Sequence, residues 1–561
     1  MNRGNFMQLT GAEIICECLI EQGVDTVFGY PGGAALNTYD ALYKYSDKIK
    51  HILTAHEQGA AHAADGYARA TGKVGVCMTT SGPGATNTVT AIATANIDSI
   101  PMVIITGNVN TGLLGRDSFQ EVDIVNIVKP ITKASYLVTR IEDLAPAIRV
   151  AFARANDGRK GPVLIDVPKD ITAQMTDFKS LTPPPKRVIE VDNADKIAKA
   201  VELINNSRYP VIYAGGGVIS ADASEQLIEF AEKIDAPVCC SLMGLGCIPS
   251  THRLNMGNLG MHGTYATGMA TEKCDLIIAC GARFSDRVAG NPKKFGEQAN
   301  IIQIDIDENE IDKNVTTDNH IIGDVGEVLE ILNNHVERQN HTQWLVQLEI
   351  WKGEHVAPRE KLGDYMSALD VLLTINKKKA PEDIIATDVG QHQMWVAQFS
   401  EIERPRTLLT SGGMGTMGFG LGAAIGAQCG FPRKKVFLIT GDGSFHMNLN
   451  ELVTLKSYNL PVVVVVLNNG VLGMVRQWQK LFYGNRFSQT DPKRATDFVK
   501  VAEGFGIPGF KLDKTEDIEE VFDKAMGLNG PAVIDCIISP DANVLPMIPP
   551  GKTVNEIVTE M

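Results

Sequence analysis

A chain of 561 residues is long enough for several domains of ordinary size, and its 44% hydrophobic and 21% charged residues describe a globular protein. A formal net charge of -14 excludes the broadly basic face that nucleic acid or an anionic membrane rewards, so neither is an expected partner. The ten cysteines form no C-x-x-C framework, and even Cys239-Cys240 sits in an apolar strand-like run. They read as buried thiols in a reducing cytosol, not as disulfides or a zinc site.

Near the N-terminus, Glu13, Glu17 and Glu21 interrupt Ile14-Ile15-Cys16 and Leu19-Ile20 at helical spacing, which predicts a helix and not a signal peptide. No apolar run is long enough to cross a bilayer and no Arg- and Ser-rich leader is present, so a cytoplasmic location is expected. Thr54 to Arg69 carries one acid, Glu57, into a helix of small residues; alone, this is a first-turn glutamate satisfying a helix dipole. Val74-Gly-Val-Cys-Met reads as a strand closing at Thr80-Ser-Gly82-Pro-Gly84, and a helix-like segment then leads to a second strand, Pro101 to Asn108.

Pro183-Pro184-Pro185 reads as a stiff, extended linker. Beyond it, Pro210-Val-Ile-Tyr-Ala runs into Gly215-Gly216-Gly217 and a helix over Ala223–Lys233 follows. Leu276-Ile-Ile-Ala-Cys280 precedes Gly281-Ala-Arg283, and Ile301 to Asp307 makes another strand. The polar stretch Asn334 to Gly363 is the second connection, partly helical. Asp388-Val-Gly390-Gln391-His392 ends a further strand, and Ser411-Gly-Gly-Met414-Gly415-Thr-Met417-Gly418 is a glycine-rich segment whose methionines could equally be core filler.

The most informative stretch runs from Lys435 to Asn469. An apolar strand stops at Gly441-Asp442-Gly443-Ser444, a helix-like segment follows (Asn450–Lys456), and a second buried strand from Pro461 ends in Asn468-Asn469. In a parallel strand–helix–strand unit, Asp442 and the paired asparagines fall at the carboxyl ends of the strands, where open α/β sheets bind ligands. The glycines let the backbone approach a phosphate, and a helix N-terminus after Ser444 favours negative charge. One carboxylate and one amide oxygen, completed by phosphate oxygens, suit Mg2+.

An internal repeat connects the two ends of the chain. Thr80 and Thr440, Pro101 and Pro461, Asn108 and Asn468, and Ala63-Ala64-x-Gly66 and Ala423-Ala424-x-Gly426 all stand 360 residues apart. Residues 1–175 and 365–545 therefore read as two copies of one α/β domain, 190–345 as a third α/β unit, and 546–561 as a C-terminal tail. The copies differ where chemistry would sit: Gly82 stands in place of Asp442, and Met417 in place of Glu57.

The Gly-Asp442-Gly turn followed by Asn468-Asn469 resembles the metal-diphosphate motif of thiamine diphosphate (ThDP) enzymes, and His56-Glu57 followed by Ala64-Asp-Gly-Tyr-Ala-Arg69 resembles their pyrimidine-binding domain. The resemblance implies three doubly wound parallel-sheet α/β domains: pyrimidine, central FAD-type and diphosphate. It implies Asp442, Asn469 and the main-chain carbonyl near Val471 as Mg2+ ligands. It gives Pro31, Gly32, Gln391, His392, Gly415, Met417, Gly443, Ser444 and Met474 to ThDP, with Met417 as the wedge that bends the cofactor. Glu57 would hydrogen-bond N1′ of the aminopyrimidine, favouring the imino tautomer that deprotonates the thiazolium C2.

Further segments resemble the acetohydroxyacid synthase (acetolactate synthase) large-subunit family along nearly the whole chain. They are Phe28-Gly-Tyr-Pro31-Gly32-Gly33, Asp117-Ser-Phe119-Gln120-Glu121, Gly161 to Asp170, Leu259-Gly-Met261-His262-Gly263-Thr264, Gly281 to Val288, Gly473-Met474-Val475-Arg476-Gln477-Trp478 and Pro546 to Lys552. By that resemblance Phe119, Gln120 and Lys169 line the substrate pocket, and Arg283 and Trp478 select the second 2-oxo acid. Arg159, Gly215, Gly216, Gly217, His262, Asp305 and Asp324 would contact FAD, although no G-x-G-x-x-G precedes a helix there. Asn258, Ser285 and His446 depart from the common pattern. The implied reaction decarboxylates pyruvate and joins the two-carbon unit to pyruvate or 2-oxobutyrate, early in branched-chain amino-acid synthesis. A homodimer or homotetramer is expected, with a regulatory small subunit as a further partner. The rival enzymatic reading is a flavin-linked pyruvate oxidase, separable by oxygen or quinone consumption. A catalytically dead relative is disfavoured by the presence of Glu57, Asp442 and Asn469.

Overall fold

The computed structural model describes residues 7–184, 191, 194–354 and 362–560. Pro185 of the proline linker and residues 355–361 of the second connection lie outside the described residues. Three six-stranded sheets, each wholly parallel, organise the chain. The first runs in spatial order Lys50–Leu53, Thr26–Tyr30, Gly75–Thr79, Met102–Asn108, Pro162–Pro168, Ala134–Leu137. The third runs Leu408–Leu409, Ile384–Thr387, Val436–Gly441, Val462–Asn468, Ala532–Ile537, Gly509–Leu512. Numbered by sequence within each sheet, both have the order 2-1-3-4-6-5. The duplication inferred from spacing is thus a duplication of topology.

One buried pair repeats with it. In the first sheet Asn108 donates through Nδ2 to Asp166, and in the third Asn468 donates to Asp535 at 2.9 Å. Asp166 is registered against Thr106 and Asp535 against Val466, positions again 360 residues apart on the strand that carries the donor asparagine. Burial pushes the Asp166 carboxyl up to about 7 and raises that of Asp535.

The central sheet has another order: Asn255–Asn258, Val238–Cys240, Pro210–Ala214, Leu276–Cys280, Asn300–Asp305, Asn319–Ile322. By sequence this is 3-2-1-4-5-6, the order of dinucleotide-binding sheets, whose ligand crevice lies where the order reverses. Here that point is between Pro210–Ala214 and Leu276–Cys280.

Strand runs are apolar on both sides because helices cover both faces of each sheet. The first helix, Gly11–Glu21, starts in a capping box: Thr10 Oγ1 accepts from the Glu13 N–H, and Glu13 accepts from the Thr10 N–H at 2.9 Å. The predicted helix in the second connection spans Thr342–Glu354. All ten cysteines are free thiols, nine of them buried. Among the described residues no helix is long and apolar enough to cross a membrane.

The two copies meet through equivalent helices, Glu57–Thr71 and Phe419–Gly430, and share one continuous core. Small residues let the backbones touch. A Cβ on Gly66 would stand 2.3 Å from the Ala423 carbonyl oxygen, and one on Gly426 only 1.9 Å from that of Ala63. Since 66 and 426, like 63 and 423, are equivalent positions, each contact is the other with the copies exchanged. The interface is an internal pseudo-two-fold. Gly66→Ala or Gly426→Ala is expected to force the helices apart and cost about 1–3 kcal/mol of stability; an unchanged denaturation midpoint would contradict that packing.

Candidate active site

In parallel sheets the loops that follow the strands share one edge, and the residues singled out above fall there in all three domains, except Arg159, which precedes strand Pro162–Pro168. In the first, Pro31 and Gly32 follow Thr26–Tyr30, Glu57 follows Lys50–Leu53, Gly82 follows Gly75–Thr79, and Lys169 follows Pro162–Pro168. Glu57 opens its helix, where His56 Nδ1 caps the Gln58 N–H at 3.1 Å and Gly72, in left-handed conformation at φ 74°, ends it. Asn87 donates to Glu57 Oε2 at 2.9 Å. Asn87 escaped the sequence reading, for nothing in its local pattern marks it.

The loop after Met102–Asn108 carries Phe119 and Gln120. Glu121 holds it by accepting from the N–H groups of Gly115, Arg116 and Ser118, and Asp170 accepts from the N–H and hydroxyl of Thr111 at its start. Gln120 takes φ +59° and packs over Gly82, whose added Cβ would stand 2.8 Å from the Gln120 carbonyl oxygen. Gly82, the counterpart of Asp442, is therefore covered by this loop. Phe119 is 87% exposed. Its projection into solvent is unusual for so large an apolar ring.

In the third domain the crevice lies between Ile384–Thr387 and Val436–Gly441, where the strand order reverses. Asp442 opens a short helix, and burial pushes its carboxyl up to about 6. The Asn469 N–H faces that carboxyl; Asn469 Nδ2 donates to Gln391 Oε1 at 3.1 Å and Asn469 Oδ1 accepts from the Val471 N–H at 3.2 Å. Among the described residues no group of three or more His, Cys, Asp or Glu side chains gathers around a metal position. The Asp442 carboxylate and the neighbouring Asn469 amide oxygen are a sparse oxygen pair with one charge, a donor set that would suit a cation completed by phosphate oxygens.

His392 lies buried beside Gly390 and Gly441 with Nε2 unpaired, and burial drives its pKa down to about 3, so the ring is neutral. Ser444 donates to the Val389 carbonyl at 2.7 Å, and a Cβ on Gly443 would stand 3.8 Å from the Met417 methyl, so the wedge candidate adjoins the phosphate turn. Asp388 accepts from the N–H groups of Gly418 (2.8 Å) and Gly420 (3.3 Å), tying the glycine-rich segment to the crevice. His446, one of the departures from pattern, bonds the Asp442 carbonyl at 2.6 Å and Thr496 at 2.8 Å, backing the turn from behind.

A cleft of about 2300 Å3 opens from this crevice across the central domain. Gly390, Gly415, Met417, Met474 and Trp478 line it from the third domain, Gly215, Gly216, Gly217, His262, Arg283, Asp305 and Asp324 from the second, and Arg159 from the first. Single-ligand pockets are typically ~300–1,000 Å3, so this one has room for more than one molecule. A Cβ on Gly215 would meet the Gly281 carbonyl at 2.2 Å, so that turn accepts only glycine. Arg159 reaches Glu310 at 2.6 Å and Asp307 at 3.4 Å, joining the first domain to the central one. Asp324 caps helix Val325–His335. Asn258 and His262 each leave a buried atom, Oδ1 and Nδ1, without a partner among the described residues, and both side chains line the cleft. Trp478 lies under Arg287 at 5.9 Å and against Phe482.

Glu57, Phe119, Gln120 and Lys169 line no part of that cleft. Asp442, Asn469, Val471, Gln391, His392, Gly443, Ser444, Pro31 and Gly32 do not line it either; of the ThDP candidates only Gly415, Met417 and Met474 reach it.

Comparison with known proteins agrees along the whole chain. Family models described as thiamine pyrophosphate enzyme match at residues 9–127 (N-terminal TPP binding domain), 197–332 (central domain) and 388–536 (C-terminal TPP binding domain). The acetolactate synthase large subunit of Corynebacterium glutamicum is 46% identical, covering 98% of this chain and 90% of its own. A probable acetolactate synthase large subunit of Methanocaldococcus jannaschii is also 46% identical, over 98% and 95%. The acetolactate synthase isozyme 3 large subunit of Escherichia coli is 41% identical over 98% of each chain. With three family models matched in order and 41–46% identity over 98% of its length, the chain belongs to the acetolactate synthase large-subunit family of thiamine diphosphate enzymes.

Proposed function

We propose that this acetolactate synthase binds Mg2+ and FAD beside ThDP, works as a homodimer core whose sites are shared between subunits, and accepts pyruvate or 2-oxobutyrate as second substrate. The observation that carries the reading is the buried Asp442 carboxyl beside Asn469 at the strand-order reversal of a ThDP-type sheet. Bound ThDP supplies the carbanion and electron-sink chemistry that decarboxylation and carboligation of 2-oxo acids require.

The residues have these roles. Asp442, Asn469 and the Val471 carbonyl hold the metal, while Gln391, His392, Gly443 and Ser444 receive the diphosphate, with the orphan His392 Nε2 free for it. Met417 wedges the cofactor, Met474 contacts it, Gly415 accepts its amino group through the main chain, and Pro31 and Gly32 complete the pyrimidine side. Glu57 holds and returns a proton at the aminopyrimidine. Phe119, Gln120 and Lys169 enclose the donor, and the planar Arg283 fork binds the acceptor carboxylate next to the Trp478 ring. The 3-2-1-4-5-6 central sheet with its Gly215–Gly217 turn, His262, Asp305, Asp324 and Arg159 supports FAD. The units that carry these roles span 1–175, 190–345 and 365–545, with the tail 546–561 behind them. The printed names of the relatives, "large subunit", support a regulatory small subunit; the cysteine chemistry supports a cytoplasmic setting.

Purified protein given pyruvate, ThDP, Mg2+ and FAD is expected to form 2-acetolactate and CO2 without consuming oxygen; oxygen-dependent acetate formation would overturn the carboligase reading. Because the Asp442 carboxyl has been pushed up to about 6, protons compete with the metal below that pH. Mg2+-dependent ThDP affinity should hold above pH 7 and fall as the pH drops through 6, more steeply than in Asp442→Asn, whose residual slope belongs to the diphosphate itself. Equal slopes would move the metal elsewhere.

The exposed apolar side chains Tyr30, Leu36 and Phe119 on the first domain and Met414, Met447 and Val475 on the third support the shared site. A two-fold pairing would bring one chain's pyrimidine side to the other's diphosphate side and make two equivalent sites. Glu57→Gln and Asp442→Ala chains, each inactive alone, should regain activity when mixed as heterodimers, since one site then carries both lesions and the other none. Verified heterodimers as dead as their parents would rule the shared site out.

A further inference from the structure

The internal two-fold carries a second set of contacts that no packing requirement explains. Glu451 is fully buried at the start of helix Leu452–Ser457 in the third domain, yet its carboxylate leaves that domain. Oε2 accepts from the Ala55 N–H and Oε1 from the His56 N–H, both at 3.0 Å, and Thr454 completes its bonding at 2.6 Å. A Cβ on Gly59 would lie 2.1 Å from Oε1, so the first turn of the Glu57 helix is open at the one place this carboxylate passes. Tyr458, the C-cap of helix Leu452–Ser457, accepts from the Leu53 N–H at 2.8 Å. The first domain answers in kind. Asp98, whose position is equivalent to Tyr458, accepts from the N–H groups of Gly413 (2.8 Å) and Gly412 (3.1 Å), and Gly413 is equivalent to Leu53. Its side chain is 1% exposed and is held by Arg69 at 3.0 Å, while Arg69 also donates to the Thr410 carbonyl at 2.7 Å.

We propose that Glu451 and Asp98 are reciprocal positioning residues, each carboxylate crossing from its own copy to fix two successive N–H groups of the segment that carries the other copy's reactive group. Glu451 sets the entry to Glu57; Asp98, with Arg69, sets the loop that delivers Gly415 and Met417. Hydrogen bonds from main-chain N–H to a buried carboxylate are the strong, charge-assisted kind, and two per clamp fix direction as well as place. The same carboxylates make each half of the site depend on the other half's domain within one chain. The proposal rests on the active-site reading above.

The test separates positioning from mere structure. Glu451→Gln keeps the shape but turns one acceptor into a donor facing an N–H. It is expected to slow C2–H exchange of bound ThDP about tenfold, and Glu451→Ala about a hundredfold, with ThDP affinity within about twofold of the parent. Asp98→Asn is expected to do the reverse, weakening ThDP binding several-fold. Glu57→Gln is the control. If it slows exchange and Glu451→Gln does not, the clamp is refuted; if neither slows it, the Glu57 reading falls instead. Complementation gives the second readout. A Glu451→Ala chain should recover activity with an Asp442→Ala chain and not with a Glu57→Gln chain, since the lesion travels with Glu57. The opposite pattern would make Glu451 a local support of the metal half and overturn the proposal. If Glu451→Ala does not assemble, the exchange rates of Glu451→Gln decide alone.

Discussion

The contact between helices Glu57–Thr71 and Phe419–Gly430 is the constraint on which the remaining architecture depends. Side chains normally keep helices 8–10 Å apart. Here glycines and alanines face one another across the internal two-fold, so the backbones approach until main-chain atoms touch. That closeness lets carboxylates and a guanidinium from one copy reach main-chain groups of the other. It also fixes Glu57 and Met417, equivalent by position and opposite in chemistry, at the two ends of one rigid pair. Replacing the small residues with a leucine seam would make a conventional helix pair and lose the reach.

Such a contact buries charge, and the structure meets that cost by full pairing. Arg69 lies within an interface of small apolar residues, bonded to Asp65 in its own helix, to Asp98 and to the Thr410 carbonyl, with its guanidinium 5.0 Å from the Phe419 ring. A buried ion pair adds little to stability when complete and is severely destabilising when one partner is removed. Its effect here is specificity: only one relative placement of the two copies satisfies every donor. His62 shows the boundary of this economy, since its ring nitrogens have no partner; burial drives its pKa down to about 3 and it packs as a neutral aromatic on Phe419.

The sequence made the strand ends legible because apolar runs stopping at Gly-Asp-Gly or Thr-Ser-Gly are short-range signals, and the strands Val436–Gly441 and Val462–Asn468 end where those signals put them. The constant separation of 360 residues reported a shared topology, which spacing can do without knowledge of contacts. What spacing could not report is which side chains leave their own domain. Glu451 reads as an unremarked acid in a polar turn, and Asp98 as a helix-end residue; each acts on residues more than 300 positions away. Asn87 is hidden within its own domain, its partner Glu57 lying 30 residues away across a strand. The separation of Glu57 from the cleft is likewise a property of three-dimensional placement, invisible to motif and period.

The cleft between the domains has walls from all three, and the central domain is tied to its neighbours by Arg159 to Glu310, Lys160 to the Ser220 carbonyl, Arg406 to Asp222 and the Ile219 carbonyl, and Gln398 to the His262 carbonyl. A space of about 2300 Å3 is a large fraction of an interdomain boundary to leave without protein atoms. Whatever fills it touches three domains at once, so its binding free energy is also cohesive free energy of the chain. A ligand that binds across it therefore makes the docking of the central domain depend on that ligand's concentration.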